Sequence, residues 1–317
     1  MARINQVMLL GAINTPPKIA KIKDQYVYAM VYVTVVRGER VIGDKVKYMR
    51  SDNPMLMTWD PVMIREIESW EVNDIVDVKG VVATRPIKKS SYCPHCNTKN
   101  QYPGAIVYVN PIFCKKRCHM ETDNECYQYL AMRREVSNQC YVFGTLCRVP
   151  TRRKTGGGTV YTQYQIALNR KFRIKADPEG LRSDYPWVKS YGENGEEDLK
   201  RLCVGSEVII DGFLQTRNVN RHAVCGQALG DDDKPLFFPN GSPVMRTDED
   251  GEFIGCGESY DWPDRALELV PYLHGTEYIS GYYTDEDLIA KEKEERLKAL
   301  SDAGLAADGF DDDSDVE

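Results

Sequence analysis

Apolar and β-branched residues in this chain alternate with polar ones in short runs, and the runs come in two similar series. The first opens with Gln6–Ile13, broken by Gly11, and continues through Tyr26–Val36 and about Val41–Arg50. Runs of this length and period predict strands. A helix is predicted near Pro61–Trp70, where Asp60 and Pro61 supply an N-cap and a first-turn proline. Strands follow over Asp74–Thr84 and Ala105–Phe113. The second series reads Cys140–Val149, Val160–Asn169, a looser third strand, a helix near Glu196–Leu202, then Glu207–Thr216 and Leu267–Tyr272.

The two series are a repeat. Arg50-Ser51-Asp52-Asn53-Pro54 matches Arg182-Ser183-Asp184-Tyr185-Pro186 at an offset of 132. Gly80 meets Gly212, and Thr84-Arg85 meets Thr216-Arg217, at the same offset; Leu10-Gly11 meets Phe143-Gly144 at 133. Several matches at one spacing argue for a duplicated domain. Five strands with a short helix between the third and fourth is the order of an OB barrel. A generic β-sandwich does not call for that helix in the same place twice. The fold class expected is mainly β: two tandem five-stranded OB barrels, a small zinc-knuckle insertion and a disordered acidic tail. The divisions are 1–119, with the insertion at about 90–119, a linking helix over 120–137, the second barrel over 138–284, and a charged helix and tail over 285–317.

Charge changes the picture once it is divided. The net charge of -7 belongs to the tail, because residues 284–317 hold 13 Asp/Glu against 4 Lys/Arg and the remainder nets +2. A mildly basic body with an acidic tail is compatible with a nucleic-acid partner. No run approaches the length of a membrane span, and the N-terminus reads straight into a strand, so a cytoplasmic protein is expected. There the ten cysteines would be reduced, serving as metal ligands or small core residues.

Cys93-Pro94-His95-Cys96 is a C-x2-C knuckle, and Cys114-Lys115-Lys116-Arg117-Cys118 is C-x3-C. Four thiolates at such spacing suit one tetrahedral, structural Zn2+. Cys93, Cys96, Cys114 and Cys118 are the expected ligands, with His95, His119 and Cys126 in reserve. The matching stretch of the second repeat, about 218–265, holds only Cys225 and Cys256 and reads as a long loop without its own metal site.

The second repeat also carries a resemblance. Asn138–Leu146, Tyr164–Arg170 and Gly205–Arg217 resemble the first, second and fourth strands of bacterial single-stranded DNA-binding proteins, in the same order and spacing. The resemblance covers about 80 residues directly and the first repeat only through the duplication. Two barrels with a metal insertion look more like a phage or mobile-element version. The acidic tail carries its apolar residue, Phe310, before the final acids rather than after them. The resemblance implies sequence-independent coating of single-stranded DNA in replication, recombination or repair, with the tail recruiting replication or recombination proteins. Whether the chain works as a monomer or a dimer stays open.

Such binding needs cations for phosphates and aromatic faces for bases. In the second repeat the candidates are Arg148, Arg152, Arg153 and Lys154 beside Gly156–Gly158, Arg170, Lys171, Phe172 and Arg173 after the second strand, Tyr161, Trp187 and Tyr191 as stackers, and Arg217. In the first repeat they are Tyr28, Lys45, Lys47, Tyr48, Arg50, Trp59 and Arg85. About half of these aromatics should simply face a core, since strand side chains alternate. The alternative is an RNA-binding or primosome/recombination adaptor module on the same barrels. The sequence has no P-loop and no nucleophile–base arrangement with recognised spacing, so no enzyme is expected.

Overall fold

The computed structural model describes residues 4–23, 25–42, 46–171, 173–177, 180, 182–230 and 234–302. In the first strand, β1 (Asn5–Ile13), Val7 and Leu9 alternate into a core before the strand becomes buried throughout. Gly11 lets β1 cross the barrel closely, as a Cβ there would stand 2.4 Å from Val33 Cγ1. The first repeat continues with β2 (Lys18–Ile22), β3 (Gln25–Ile42), β4 (Val46–Asp52), β5 (Met55–Thr58), α1 (Pro61–Glu68), β6 (Asp74–Tyr92) and β7 (Lys99–His119). Two short helices, α2 (Asp123–Ala131) and α3 (Arg134–Ser137), lead into the second: β8 (Asn138–Lys154), β9 (Val160–Asn169), β10 (Ser183–Asp184), β11 (Trp187–Tyr191), α4 (Gly192–Arg201), β12 (Glu207–Val224) and β13 (Ser259–Ser280). A charged helix, α5 (Asp285–Asp302), follows; the acids from 303 onward lie outside the described residues.

Each repeat closes into a barrel by one parallel pairing, β5 with β7 at Leu56↔Val109 and β11 with β13 at Val188↔Leu269. The third barrel strand is therefore β5, and the expected strand over Val41–Arg50 is a correction. That segment instead folds as a β3–β4 hairpin with Val36↔Ser51 in register. Four residues behind Pro54 were too few to read as a strand. The helix α1 starts as its residues demand: Asp60 Oδ1 accepts from Val62 N at 3.0 Å, Pro61 takes the first position, and Ile64 and Ile67 enter the core with Leu56, Val78 and Trp70.

The fourth and fifth strands of each repeat run far beyond the barrel. β6 and β7 stay paired to Tyr92↔Lys99, and β12 and β13 to Val224↔Ser259, which makes two β-ribbon arms. Beyond the second arm, the described residues of 226–258 form isolated bridges such as Gln227↔Met245 and Thr247↔Phe253.

The barrels join edge to edge. β1 pairs antiparallel with β8 through Val7↔Cys140, with Asn5↔Val142 and Leu9↔Asn138 on either side. The repeat offset of 133 carries Val7 to Cys140 and Asn5 to Asn138, so the pairing is self-complementary, as at a two-fold interface. Asn5 exchanges two hydrogen bonds with the backbone of Val82, at 2.9 and 2.8 Å, and Asn138 does the same with Leu214, at 2.8 and 3.0 Å. Each amide satisfies its own polar atoms and a buried strand segment together.

Candidate nucleic-acid interface and cysteine cluster

In the second barrel the hairpin β8–β9 and the start of β11 share one face. Trp187, paired in register with Gln165, is half-buried, and the Arg148 guanidinium lies 5.5 Å from its ring centroid. The hairpin is longer than the sequence suggested. Its strands reach Lys154 and Val160, and Thr155 closes the turn by bonding Thr159 and Gly158. Arg152, Arg153 and Lys154 are exposed along it, with Arg152 held 2.8 Å from Glu196 Oε1.

Beneath this face runs a charged network. Lys189 is buried, lies 4.3 Å from the Tyr161 ring centroid and reaches Glu268 at 3.2 Å. Arg217 grips the same carboxylate through two bonds, at 2.9 and 3.1 Å. Tyr161 leans on Tyr191 at 5.6 Å. Tyr161 thus braces the face from below and is too buried to offer a ring to a base, while Arg217 and Tyr191 stay partly exposed beside it.

The first barrel repeats the pattern with different occupants. At the offset of 132, Trp59 stands where Tyr191 does and Arg85 where Arg217 does. Arg85 lies 4.8 Å over the Trp59 ring, which meets Tyr108 edge-on at 6.1 Å. Tyr28 packs against the same cluster, and Ile174 of the second repeat covers it. Arg50 is exposed on β4 opposite Arg37. Lys45 and Phe172, and the side chains of Lys47 and Tyr48, lie outside the described residues.

One candidate needs correction. Arg170 is buried and bonded at 2.5 Å through both Nε and Nη2 to Asp184, with Asp177 at 3.5 Å. A guanidinium so enclosed secures the loop and does not face phosphate. Its neighbours Lys171 and Arg173 do remain exposed. With Lys175, they line a groove of about 550 Å³ between the repeats that also exposes Ile112. Cations beside apolar surface give the groove the same character as the hairpin face.

The cysteines are arranged differently from the expectation. Cys93 and Cys96, at the tip of the first arm, meet Cys225 and Cys256 of the second, all four sulfurs lying within 4.8 Å of one another. Cys114 and Cys118 are elsewhere. Cys114 is buried under α1, 3.7 Å from Met63 Sδ, with its thiol pushed up to about 12 by burial, and Cys118 packs near Leu10 and Cys126. His119 bonds Asp74, and Cys126 donates to Asn73 O, so these two reserve ligands are not near the cluster; the third, His95, lies within its first knuckle. Hydrogen bonds with Thr98 lower the Cys96 thiol to about 6, whereas burial raises Cys225. The backbone N–H of His95 points at Cys93 Sγ (3.4 Å), and Asn100 Nδ2 at Cys225 Sγ (3.6 Å). Such donors to sulfur suit a thiolate cluster, and the four thiols could hold a metal ion. The missed pair had a signal: adding 132 to Cys93 gives Cys225.

Fold and faces define a tandem OB-barrel protein. Residues 137–228, most of the second barrel, match the Single-strand binding protein family, and the first barrel is the internal counterpart of that region. No curated protein sequence matches significantly. Among solved structures, the wild-type single-stranded DNA-binding protein from Thermus aquaticus is similar over 68% of this chain and 87% of its own, at 18% identity and a TM-score of 0.43. A deletion mutant of that protein gives 19% identity, 68% and 89% coverage and a TM-score of 0.42. The Plasmodium falciparum SSB complex with ssDNA gives 14% identity, 37% and 98% coverage and a TM-score of 0.29.

Proposed function

We propose that this protein binds single-stranded DNA without regard to sequence, as a coat for strands exposed in replication, recombination or repair. The observation that carries the reading is a coincidence of place. The segment that matches the family also holds the Arg148–Trp187 pair and the exposed cations of the β8–β9 hairpin. The hairpin and the basic inter-repeat groove attract phosphates, and Trp187 offers a ring to a base. The role is binding and not turnover. The acidic tail recruits partner proteins or competes for the basic faces when DNA is absent, so removing residues 301–317 leaves strand affinity intact or tightens it. The cysteine cluster holds zinc in a structural role.

Titration of tryptophan fluorescence with poly-dT at two salt concentrations, with duplex and RNA competitors, tests the reading. Quenching by poly-dT that salt weakens, and that duplex does not reproduce, supports it. No response from the folded protein overturns it, and preference for RNA redirects it to the alternative polymer.

A further inference from the structure

The duplication extends into the arms. Along β6 and β12 the offset of 132 carries Cys93 to Cys225. Along β7 and β13 the offset is 160, set by the matching closures at Val109 and Leu269, and it carries Cys96 to Cys256. The four cysteines are therefore two equivalent pairs. Their cross-contacts are equivalent too: Cys93 Sγ lies 3.7 Å from Cys256 Sγ, and Cys96 Sγ lies 3.5 Å from Cys225 Sγ. Exchanging the repeats turns one contact into the other. The same offset takes Tyr102 to Trp262, and these two rings stack on each other, 6.0 Å apart and 17° from parallel. Val7 and Cys140 face each other in the same self-equivalent way.

We infer that the quartet is one tetrathiolate metal site on the pseudo-two-fold axis that relates the repeats, with each repeat supplying half of its ligands. This sharpens the structural-zinc part of the reading above and is independent of strand binding. Thiolates around tetrahedral zinc, with Zn–S bonds of about 2.3 Å, stand about 3.8 Å apart, and the two cross-contacts are close to that. Four sulfurs leave no open coordination position, so the site is structural. Repeat one closes its pair with Pro94 and His95, whereas repeat two closes its pair with the whole of 226–255. At the far side Gly255 allows a close passage, since a Cβ there would stand 2.7 Å from Cys225 Sγ.

The metal acts as a clasp. The arms already touch through Lys89–Asp264 at 2.7 Å and Ser91–Tyr260 at 2.7 Å. The ion ties their tips. The β1–β8 junction lies outside the arms and does not depend on it.

Metal analysis of the full chain, with alkylation mapping of its cysteines before and after chelation, tests this. One zinc per chain is expected, with Cys93, Cys96, Cys225 and Cys256 becoming reactive together on chelation and Cys147 reactive throughout. Cys225→Ser should lose the metal as Cys93→Ser does, and Cys118→Ser should keep it. Hydrogen exchange should rise in the arms on chelation and stay unchanged in β1 and β8. Metal retained in Cys225→Ser, loss in folded Cys118→Ser, a Cys96–Cys225 disulfide, or four free thiols without metal would each overturn the clasp. Should Cys225→Ser fail to fold, the alkylation map of the wild-type chain decides alone. Strand binding is not a readout, so either proposal can fail without the other.

Discussion

Asp52 and Asp184 stand one repeat apart, and each accepts hydrogen bonds from the barrel of the other. Asp184 Oδ1 takes Thr84 N at 2.5 Å and Thr84 Oγ1 at 3.3 Å, while Asp52 Oδ1 takes Thr216 N at 2.7 Å and Thr216 Oγ1 at 3.2 Å. Each is also paired with an arginine of its own repeat, Arg170 or Arg37. Removing one member of a buried pair strands the other charge at a cost of about 3–5 kcal/mol. Asp184→Ala should therefore lower unfolding free energy in urea by up to about that much, with Asp177 at 3.5 Å remaining as a weaker partner for Arg170. Asp52→Ala should cost less, because the Arg37 side chain is 14% exposed against 2% for Arg170. Equal losses in the two variants would contradict this account.

On the proposed function, Trp187, half-buried beside Arg148, is the ring that meets a base. Stacking is worth about 1–3 kcal/mol per base, so Trp187→Ala should weaken poly-dT binding by about 5- to 150-fold and remove most of the fluorescence quenching. Trp70, buried with Nε1 bonded to Glu66 at 3.2 Å, should keep its signal on binding. Unchanged affinity in Trp187→Ala would move the strand off this face.

If the strand lies on the exposed cations of the β8–β9 hairpin, as proposed, they set part of the salt dependence of binding. Each phosphate contact in single strands contributes about 0.7 to the slope of log K against log salt. Arg153→Ala with Lys154→Ala should flatten that slope by about 1.4. Glu196→Gln releases Arg152 from its partner and should tighten binding modestly at low salt, in keeping with an exposed ion pair worth about 0–1 kcal/mol. An unaltered slope would take the hairpin out of the interface.

Asp198 gives stability a pH dependence. It is buried in α4, where Tyr278 OH donates to it at 2.8 Å and Tyr164 OH at 3.1 Å, and burial raises its pKa above the ordinary 3.8. As pH rises, the unfolded carboxyl loses its proton first. The unfolded state then binds fewer protons than the folded one, so this group's contribution is whole below 3.8 and is lost as pH rises through the folded value. Asp198→Asn should flatten the curve of unfolding free energy above the ordinary carboxyl value of 3.8. Parallel curves for the two proteins would rule Asp198 out as the cause.

The OB barrels were legible in the sequence because strand runs, a capped helix and a constant offset all reported the same unit. Cys93 and Cys96 were legible as a thiol pair because a two-residue gap brings them together locally. Their partners were not, since Cys225 and Cys256 are 31 positions apart and only the crossing of two arms joins them. Cys114 and Cys118 matched the local pattern, but a strand that buries Cys114 under α1 points it away. Arg170 looked like a surface cation until its loop packed Asp177 and Asp184 around it. Spacing reports neighbours along one element; it does not report which of them a distant segment will enclose.

The β1–β8 junction has the form of a contact between two molecules, yet both strands belong to one chain. Two separate barrels joined this way would dissociate on dilution, and their melting point would fall with concentration. Here the second barrel is always within a linker's length of the first. The pair stays assembled at any dilution, and the geometry between the barrels does not depend on how many copies are present.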